Sequence, residues 1–342
     1  MNDDDLRAAF ARPELERIDI ERLRRDIDAE VIRRRKRRST MLTSGLAGLI
    51  ALVIGVPTAV WLGVGLERNI GPTSQRVADG VTPARPLNLL LLGIDSYESG
   101  RSDTIMIVHV PASGTRVDLI SIERDVVTDV PGHGSEKINS AYQYGGVDLA
   151  TKTVENLTGV PLDGAVVVRL AAVEKITDSV GGVRICLEHQ VTSIHTGRVY
   201  PTGCQTIDGA AAADLLRQRR DQPLGAYDRD RNAQRFLAAL AAKVTTLNLI
   251  TDFEKINKLT RIDGLTVNLV GVTLPQLYLR LKDSKAKDIV GIGAPEFQTV
   301  IKDGQPSEGL PKDSAQLFAD IRADTVDAFV TTHPSWVTVI RV

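Results

Sequence analysis

The stretch LNLLLLG, residues 87–93, decides the fold. It is short and almost continuously apolar, and turn-forming residues bound it, which is typical of a strand buried on both faces of a sheet. Similar runs follow at 104–110, 117–122, 164–170 and 183–187. Helical patterns alternate with these runs, so the sequence predicts an α/β domain, a layered sheet flanked by helices. The helical patterns follow Asn139 and lie at 171–179, 208–217, 228–244, 251–260, 274–281 and 314–327.

A second apolar stretch stands upstream of this domain. Residues 41–66 contain no charged side chain, and they exceed the roughly 20 residues that a helix needs to cross a bilayer core. A cleaved signal peptide is disfavoured because 40 residues precede the stretch and the apolar run is too long. We therefore expect one transmembrane helix at 41–66, followed by a linker at 67–86 that is rich in Pro, Gly, Ser and Thr.

The charges that flank this stretch predict its orientation. Residues 33–38 are all basic, whereas Glu67 and Arg68 on the other side cancel. The positive-inside rule then places residues 1–40 in the cytoplasm as a short tail. Residues 87–342 become one extracytoplasmic domain, so we expect a single-pass protein of the cell membrane.

Charge and cysteine content narrow the class of protein. The net charge of -1 argues against a nucleic-acid binder, which would carry a basic surplus. Cys186 and Cys204 form no CxxC motif. An external domain permits disulfides, so we expect a Cys186–Cys204 bond, with two unpaired buried thiols as the alternative.

Charged residues stand where the predicted strands begin or end. Asp95 follows the first strand, Arg101 and Asp103 precede the second, and Arg124 and Asp125 follow the third. Ligands of α/β sheets bind at strand ends, and the loops there carry chemistry. For any single residue, a solvated loop charge is the alternative, but the set together indicates a functional site.

A later segment is rich in arginine. Interspersed aspartates could neutralise it as ion pairs. Alternatively, the guanidinium groups bind an anion, because their fork of donors suits phosphate oxygens. Carboxylates and arginines without a catalytic His or Ser suggest a metal-bridged diphosphate, since Mg²⁺ prefers one or two carboxylates plus substrate phosphates. Within 19 residues the segment contains Arg217, Arg219, Arg220, Arg229, Arg231 and Arg235.

The ordered set of motifs resembles the LytR-CpsA-Psr (LCP) family of cell-envelope phosphotransferases. The resemblance is close over residues 87–245, and such a protein has an α/β fold behind a membrane anchor. The matching stretches are LLLLGIDS at 89–96, RSDTIM at 101–106, SIERD at 121–125, KINSAY at 137–142, GGV at 181–183, GCQTIDG at 203–209 and RQR at 217–219.

The resemblance implies a concrete activity. Such proteins transfer a glycopolymer, with its phosphate, from a polyprenyl diphosphate lipid to peptidoglycan during cell-wall assembly. It implies Mg²⁺ or Mn²⁺ bound by Asp95 and Asp103, and a lipid tail held in the apolar body. The implied catalytic arginines are Arg124, Arg217, Arg219 and Arg229. The implied substrate-binding residues are these four together with Arg101, Asp125 and Lys137.

The sequence also departs from the family's pattern. The family usually has Pro where Glu123 stands and Arg where Tyr97 stands. A carboxylate beside Arg124 adds negative charge near a phosphate. We therefore expect Glu123 to oppose phosphate binding by like-charge repulsion.

The arginine-rich motif D-x-x-R-x-x-x-Q is only partly present. Arg229 remains, but Ala226 replaces the acid and Ala233 replaces the amide. Asp228 or Asp230 could take over the role of the acid, although each is displaced along the chain. The alternative function is therefore a non-catalytic module that binds polyprenyl phosphate, or a regulator of a catalytic relative.

Overall fold

A computed structural model of the protein describes residues 85–95, 100–220, 222–246, 262–272, 277, 280, 281 and 285–341. The predicted tail and membrane span, nearly all of the linker and the helical pattern at 251–260 lie outside these ranges. Within them, no helix combines the length and apolar character that a membrane crossing requires.

The strands predicted from apolar runs are all present, within two residues at either end. The described ranges also contain short strands that the sequence pattern did not reveal. The strands are β1 (Leu87–Ile94), β2 (Ser102–Val110), β3 (Val117–Ile122), β4 (Val127–Val130), β5 (Gly134–Lys137), β6 (Gly164–Arg169), β7 (Val183–Leu187), β8 (Val191–Thr192), β9 (Val199–Tyr200), β10 (Gly203–Ile207), β11 (Leu265–Leu269), β12 (Ile289–Ile292), β13 (Gln298–Lys302), β14 (Gln305–Gly309) and β15 (Val337–Thr338).

Seven of these strands form the central sheet, in the order β11–β6–β1–β2–β3–β12–β15. Strand β1 runs parallel to β6 and antiparallel to β2, and β3 runs antiparallel to β2 and parallel to β12. The carboxyl ends of β1, β3, β6 and β12 therefore meet the start of β2 at one edge. We call this edge the carboxyl edge.

Helices cover both faces of the sheet. The pattern at 314–327 predicted one helix, but the structure has two, because Asp324 adopts the left-handed conformation (φ 59°) and ends the first. The helices are α1 (Ser140–Thr158), α2 (Leu170–Ser179), α3 (Gly209–Leu215), α4 (Ala226–Thr245), α5 (Ser314–Ala323) and α6 (Val326–Thr332).

Alternation along β1 gives the sheet two apolar cores. Leu87 and Leu89 pack in a first core with α2, α3 and α4. Leu90 and Leu92 pack in a second core with α1, α5 and α6. Full burial of one such side chain contributes roughly 1.5–3 kcal/mol, so the continuous apolar run of β1 stabilises the layered arrangement on both faces.

Cys186 and Cys204 lie opposite each other on the antiparallel strands β7 and β10. Their sulfur atoms are bonded in the structure. Strand β10 leads into α3, so this pair lies directly before the arginine-rich segment.

Candidate functional site

The carboxyl edge brings the predicted strand-end charges together. Asp95 follows β1, Asp103 lies at the start of β2, and Arg124 follows β3. Gly93 pairs with Thr104, and a side chain on Gly93 would approach the Thr104 Cβ to 2.9 Å. An irregularity in the register directly after Gly93 turns the end of β1, as bulges do.

The arginine-rich segment reaches the carboxyl edge from the helical layer that contains α3. Arg217 and Arg219 follow the short helix α3. Arg217 Nε lies 2.9 Å from Asp95 Oδ1, and Arg219 Nη2 lies 3.4 Å from Asp103 Oδ1. Asp103 also forms an ion pair with Arg124. The two sets of charges, which are far apart in sequence, therefore form one cluster.

The arginines of this cluster crowd one another. Burial, together with the positive charge of Arg219, lowers the pKa of Arg124 to about 10. Burial and the nearby charge of Arg229 likewise lower the pKa of Arg219. Arg217 Nε is ion-paired with Asp95, and Arg124 is ion-paired with Asp103. Crowded guanidinium groups form a site that an anion would stabilise.

The cluster opens into a cleft between the sheet and helices α2 and α4. Its charged lining comes from Asp95, Asp103, Arg217, Arg219 and Arg229. Behind these residues the walls are apolar. That part is formed by Leu91, Val168, Leu170, Val173, Ile176, Leu216, Phe236, Leu237 and Leu240.

Arg229 is the most deeply buried arginine of the cleft lining, with 1% of its side chain exposed. Its Nη2 lies 2.8 Å from Asp230 Oδ1 and 3.4 Å from Glu123 Oε1. Burial alone would lower the pKa of Arg229, but Asp230 and Glu123 raise it overall. Its Nη1 is buried without a hydrogen-bond partner.

Glu123 contacts Arg229 but is not part of the cleft lining. It lines a second, smaller cavity together with Tyr227. Burial, followed by the charge of Asp230, raises the pKa of Glu123 to about 8. A raised pKa favours the protonated carboxyl, which carries no negative charge. The expectation that Glu123 opposes phosphate binding by like-charge repulsion stays a prediction.

Three of the predicted substrate-binding residues, Arg101, Asp125 and Lys137, are not part of the cleft lining. Lys137 Nζ donates a hydrogen bond of 2.9 Å to Asp125, which lies 3.5 Å from Arg124 Nε. Burial would raise the pKa of Asp125, but Lys137 and Arg124 lower it overall. Arg101 is exposed and donates to Gln143 at 2.9 Å, so it is not part of the charged cluster.

The altered motif lies at the start of α4. Ala226 is the first residue of the helix, and Ala233 presents only a methyl group to the cleft. Asp228 accepts a hydrogen bond of 2.7 Å from the Leu224 backbone. Of the two candidate replacements for the missing acid, only Asp230 binds Arg229.

Gln234 was not predicted as important. Its buried amide donates to Leu119 O, Ser121 Oγ and Ile292 O, at 3.0, 2.8 and 2.9 Å. It thereby joins α4 to β3 and β12, and it fits because Gly291 has no side chain. The sequence signal for this role was that Gln234 directly follows position 233, where the family's motif has its amide.

The two carboxylates of the cleft are suitable ligands for a divalent cation. In the described part of the chain, no three His, Cys, Asp or Glu residues group closely enough to bind a metal ion by themselves. Asp95 and Asp103 both line the cleft, where each is ion-paired with arginine. Mg²⁺ takes one or two carboxylates and completes its shell with phosphate oxygens and water, so this donor set fits it.

Comparison with known proteins identifies a family that this chain resembles in sequence. The model of the LytR_cpsA_psr family matches residues 68–306. A polyisoprenyl-teichoic acid–peptidoglycan teichoic acid transferase, TagU, of Enterococcus faecalis is 32% identical over 50% of this chain and 58% of its own length. A probable cell wall biosynthesis protein, LcpB, of Corynebacterium glutamicum is 32% identical over 62% of this chain and 56% of its own length. The matched segment thus spans less than two thirds of either relative.

Solved structures share the fold. B. subtilis TagV superposes with a TM-score of 0.59 at 21% identity, covering 71% of this chain and 98% of that one. The structure of TagT bound to LIIa-WTA gives a TM-score of 0.58 at 25% identity, covering 73% and 94%. With its family match, central sheet and flanking helices, the chain belongs to the LytR_cpsA_psr family.

Proposed function

We propose that this chain transfers a glycopolymer from a polyprenyl diphosphate lipid to peptidoglycan. The observation that carries the proposal is the cleft, which joins an arginine cluster to a long apolar wall. A lipid diphosphate has the same two parts, an anionic group and an apolar tail. The names of TagU and of the TagT complex point to the same class of substrate.

The arginines account for recognition of the diphosphate. Arg217 and Arg219 supply charged donors at the mouth, and Arg229 supplies Nη1 from within the wall. Arg124 is ion-paired with Asp103 of the cleft lining. In phosphoryl transfer the protein mainly positions groups and neutralises charge. A cluster that lacks a nucleophilic Ser or Cys is therefore sufficient for direct transfer to an acceptor hydroxyl.

Asp95 and Asp103 would hold Mg²⁺ or Mn²⁺ at the same mouth. A bound cation neutralises charge on the diphosphate and favours departure of the lipid phosphate. Until then the two carboxylates are paired with Arg217, Arg219 and Arg124. These ion pairs hold the arginines in place before substrate binds.

The reaction balances without a covalent enzyme intermediate. The acceptor oxygen bonds to the phosphorus that carries the glycopolymer. The bond from that phosphorus to the bridging oxygen breaks, and the lipid leaves as a monophosphate. The proton of the acceptor hydroxyl passes to solvent or to a nearby base.

A single apolar span at 41–66 would anchor the chain in the cell membrane, with residues 87–342 outside the cytoplasm. This location supports the proposal, because lipid-linked substrate and peptidoglycan then both lie beside the domain. It also supports a stable Cys186–Cys204 disulfide in the mature protein.

A second candidate, a non-catalytic polyprenyl-phosphate binder, is favoured by one observation. Ala233 places a methyl group in the cleft where the family's amide would stand. Turnover distinguishes the two candidates. We expect the full chain in detergent to transfer a glycopolymer from a polyprenyl diphosphate to a peptidoglycan fragment with Mg²⁺, and to stop when a chelator is added.

Matched arginine variants provide the control for that assay. Arg217→Ala should reduce transfer strongly, because Arg217 lines the cleft. Arg220→Ala should leave it unchanged, because Arg220 is exposed in the same segment. Binding of the lipid without any transfer would contradict the proposed transferase activity and support the non-catalytic binding module.

A further inference from the structure

Arg229 lies between two carboxyl groups, and all three side chains are buried. The exposed fractions are 1% for Arg229, 3% for Glu123 and 6% for Asp230. One guanidinium compensates only one carboxylate. If all three groups were ionised, one negative charge would remain without compensation away from water, which is strongly unfavourable. Burial therefore favours a protonated carboxyl within the set.

The neighbouring charges favour Glu123 as the site of that proton. Burial raises the pKa of both carboxyl groups, but Arg229, Arg124 and Arg219 act to lower that of Asp230. Glu123 faces the negative charges of Asp230 and Asp125, and the positive charges of Arg229 and Arg219. On its other side stands the hydroxyl of Tyr227, which is itself close to Glu308. The backbone N–H of Asp125 donates to Glu123 Oε2 and lowers its pKa. Burial, followed by the charge of Asp230, outweighs this and raises the pKa of Glu123 to about 8.

Glu123 is not part of the cleft lining. It lines the second cavity with Tyr227, whose hydroxyl is buried without a partner. Arg229 lines the cleft, and its Nη1 is an unused donor there. Arg229 therefore connects Glu123 to the substrate cleft.

We propose that Glu123 is a positioning residue whose protonated form leaves the charge of Arg229 available to the diphosphate in the cleft. Ionised Glu123 would compete for the guanidinium and add negative charge behind it. The affinity of the cleft for a lipid diphosphate then depends on one proton. This inference rests on the proposed function, since it assigns the anion to the cleft.

Calorimetry of the full chain in detergent, with geranylgeranyl diphosphate as the probe, tests the proposal between pH 7 and 9. The last phosphate ionisation, at about pH 6, is complete across this pH range. We expect the affinity of the natural protein to fall on the order of tenfold over this range. Glu123→Gln, a neutral isostere of the protonated acid, should bind with nearly constant affinity. Glu174→Gln, an exposed residue of α2, should behave as the natural protein does.

The outcomes separate the two proposals. An equal fall in the natural protein and in Glu123→Gln overturns this inference alone, and so does constant affinity in the natural protein. No binding at pH 7 by the natural protein overturns the proposed function and this inference together. Should Glu123→Gln fail to fold, proton exchange is measured on the natural protein at pH 8, in buffers of different ionisation enthalpy. Proton uptake on binding supports the proposal, and the absence of uptake overturns it.

Discussion

Two charged clusters lie at opposite ends of the central sheet, and they differ in what surrounds them. The cluster at the carboxyl edge, the cleft cluster, contains Asp95, Asp103, Arg124, Arg217 and Arg219. The other, the opposite cluster, begins with a polar row across β1, β2 and β3 and contains Asn88, His109, Arg116, Asp118, Asp324 and Asp327.

The opposite cluster is buried at its centre. The side chains of His109 and Asp118 are 0% exposed, and Arg116 Nη2 lies 2.8 Å from Asp118 Oδ1. In the cleft cluster, Arg217 and Arg219 are 37% and 35% exposed. Arginines are in excess there, whereas acids are in excess at the opposite end. Charge at a strand end therefore indicates a ligand site only where it faces open space.

Replacing Arg116 with Ala should have the largest effect on stability. Asp118 would remain buried without its partner, and breaking such a pair costs about 3–5 kcal/mol. Chemical denaturation at pH 8 would measure the loss in the free energy of unfolding. Lipid diphosphate binding by the folded variant should be unchanged, and a parallel loss of affinity would show that the two clusters are coupled.

The opposite cluster should also make stability depend on pH. Burial raises the pKa of Asp118 to about 6, so its contribution to stability is complete below pH 4 and is lost as the pH rises towards 6. Asp118→Asn removes this titration. Relative to that variant, the natural protein should lose up to about 3 kcal/mol between pH 4 and 7. A constant difference in unfolding free energy across this range would contradict the account.

The Cys186–Cys204 pair should stabilise the approach to the cleft cluster. Closing a loop with a separation of 18 residues contributes about 3 kcal/mol. Thiol titration of the unreduced, denatured chain should find no free thiol, and reduction should lower the free energy of unfolding. Two titratable thiols before reduction would contradict the assignment.

Removing one arginine of the cleft cluster should mainly weaken binding. A charge-assisted hydrogen bond contributes about 1.5–3 kcal/mol, so Arg124→Ala should lower affinity for a polyprenyl diphosphate roughly tenfold or more. Arg220→Ala is the matched control. Unchanged affinity in Arg124→Ala would mean that Arg124 of the cleft cluster does not bind the diphosphate and is only solvated.

Much of the sheet could be predicted from sequence, because the apolar runs that form β1, β2 and β3 are continuous. The charges at their ends then identified the carboxyl edge. Contacts between side chains that are distant in sequence could not be predicted. The burial of Glu123 depends on Arg229, which is 106 residues away in sequence. The break at Asp324 could not be predicted either, because a left-handed aspartate leaves the apolar pattern of the helix unchanged.

The central claim is that one cleft holds both the diphosphate and the lipid tail. A structure of the full chain with bound geranylgeranyl diphosphate tests it most directly. The account predicts phosphate oxygens within hydrogen-bond distance of Arg124, Arg217 and Arg219, with the tail along Phe236 and Leu240. A tail bound outside the cleft, or phosphates that do not contact these arginines, would contradict it.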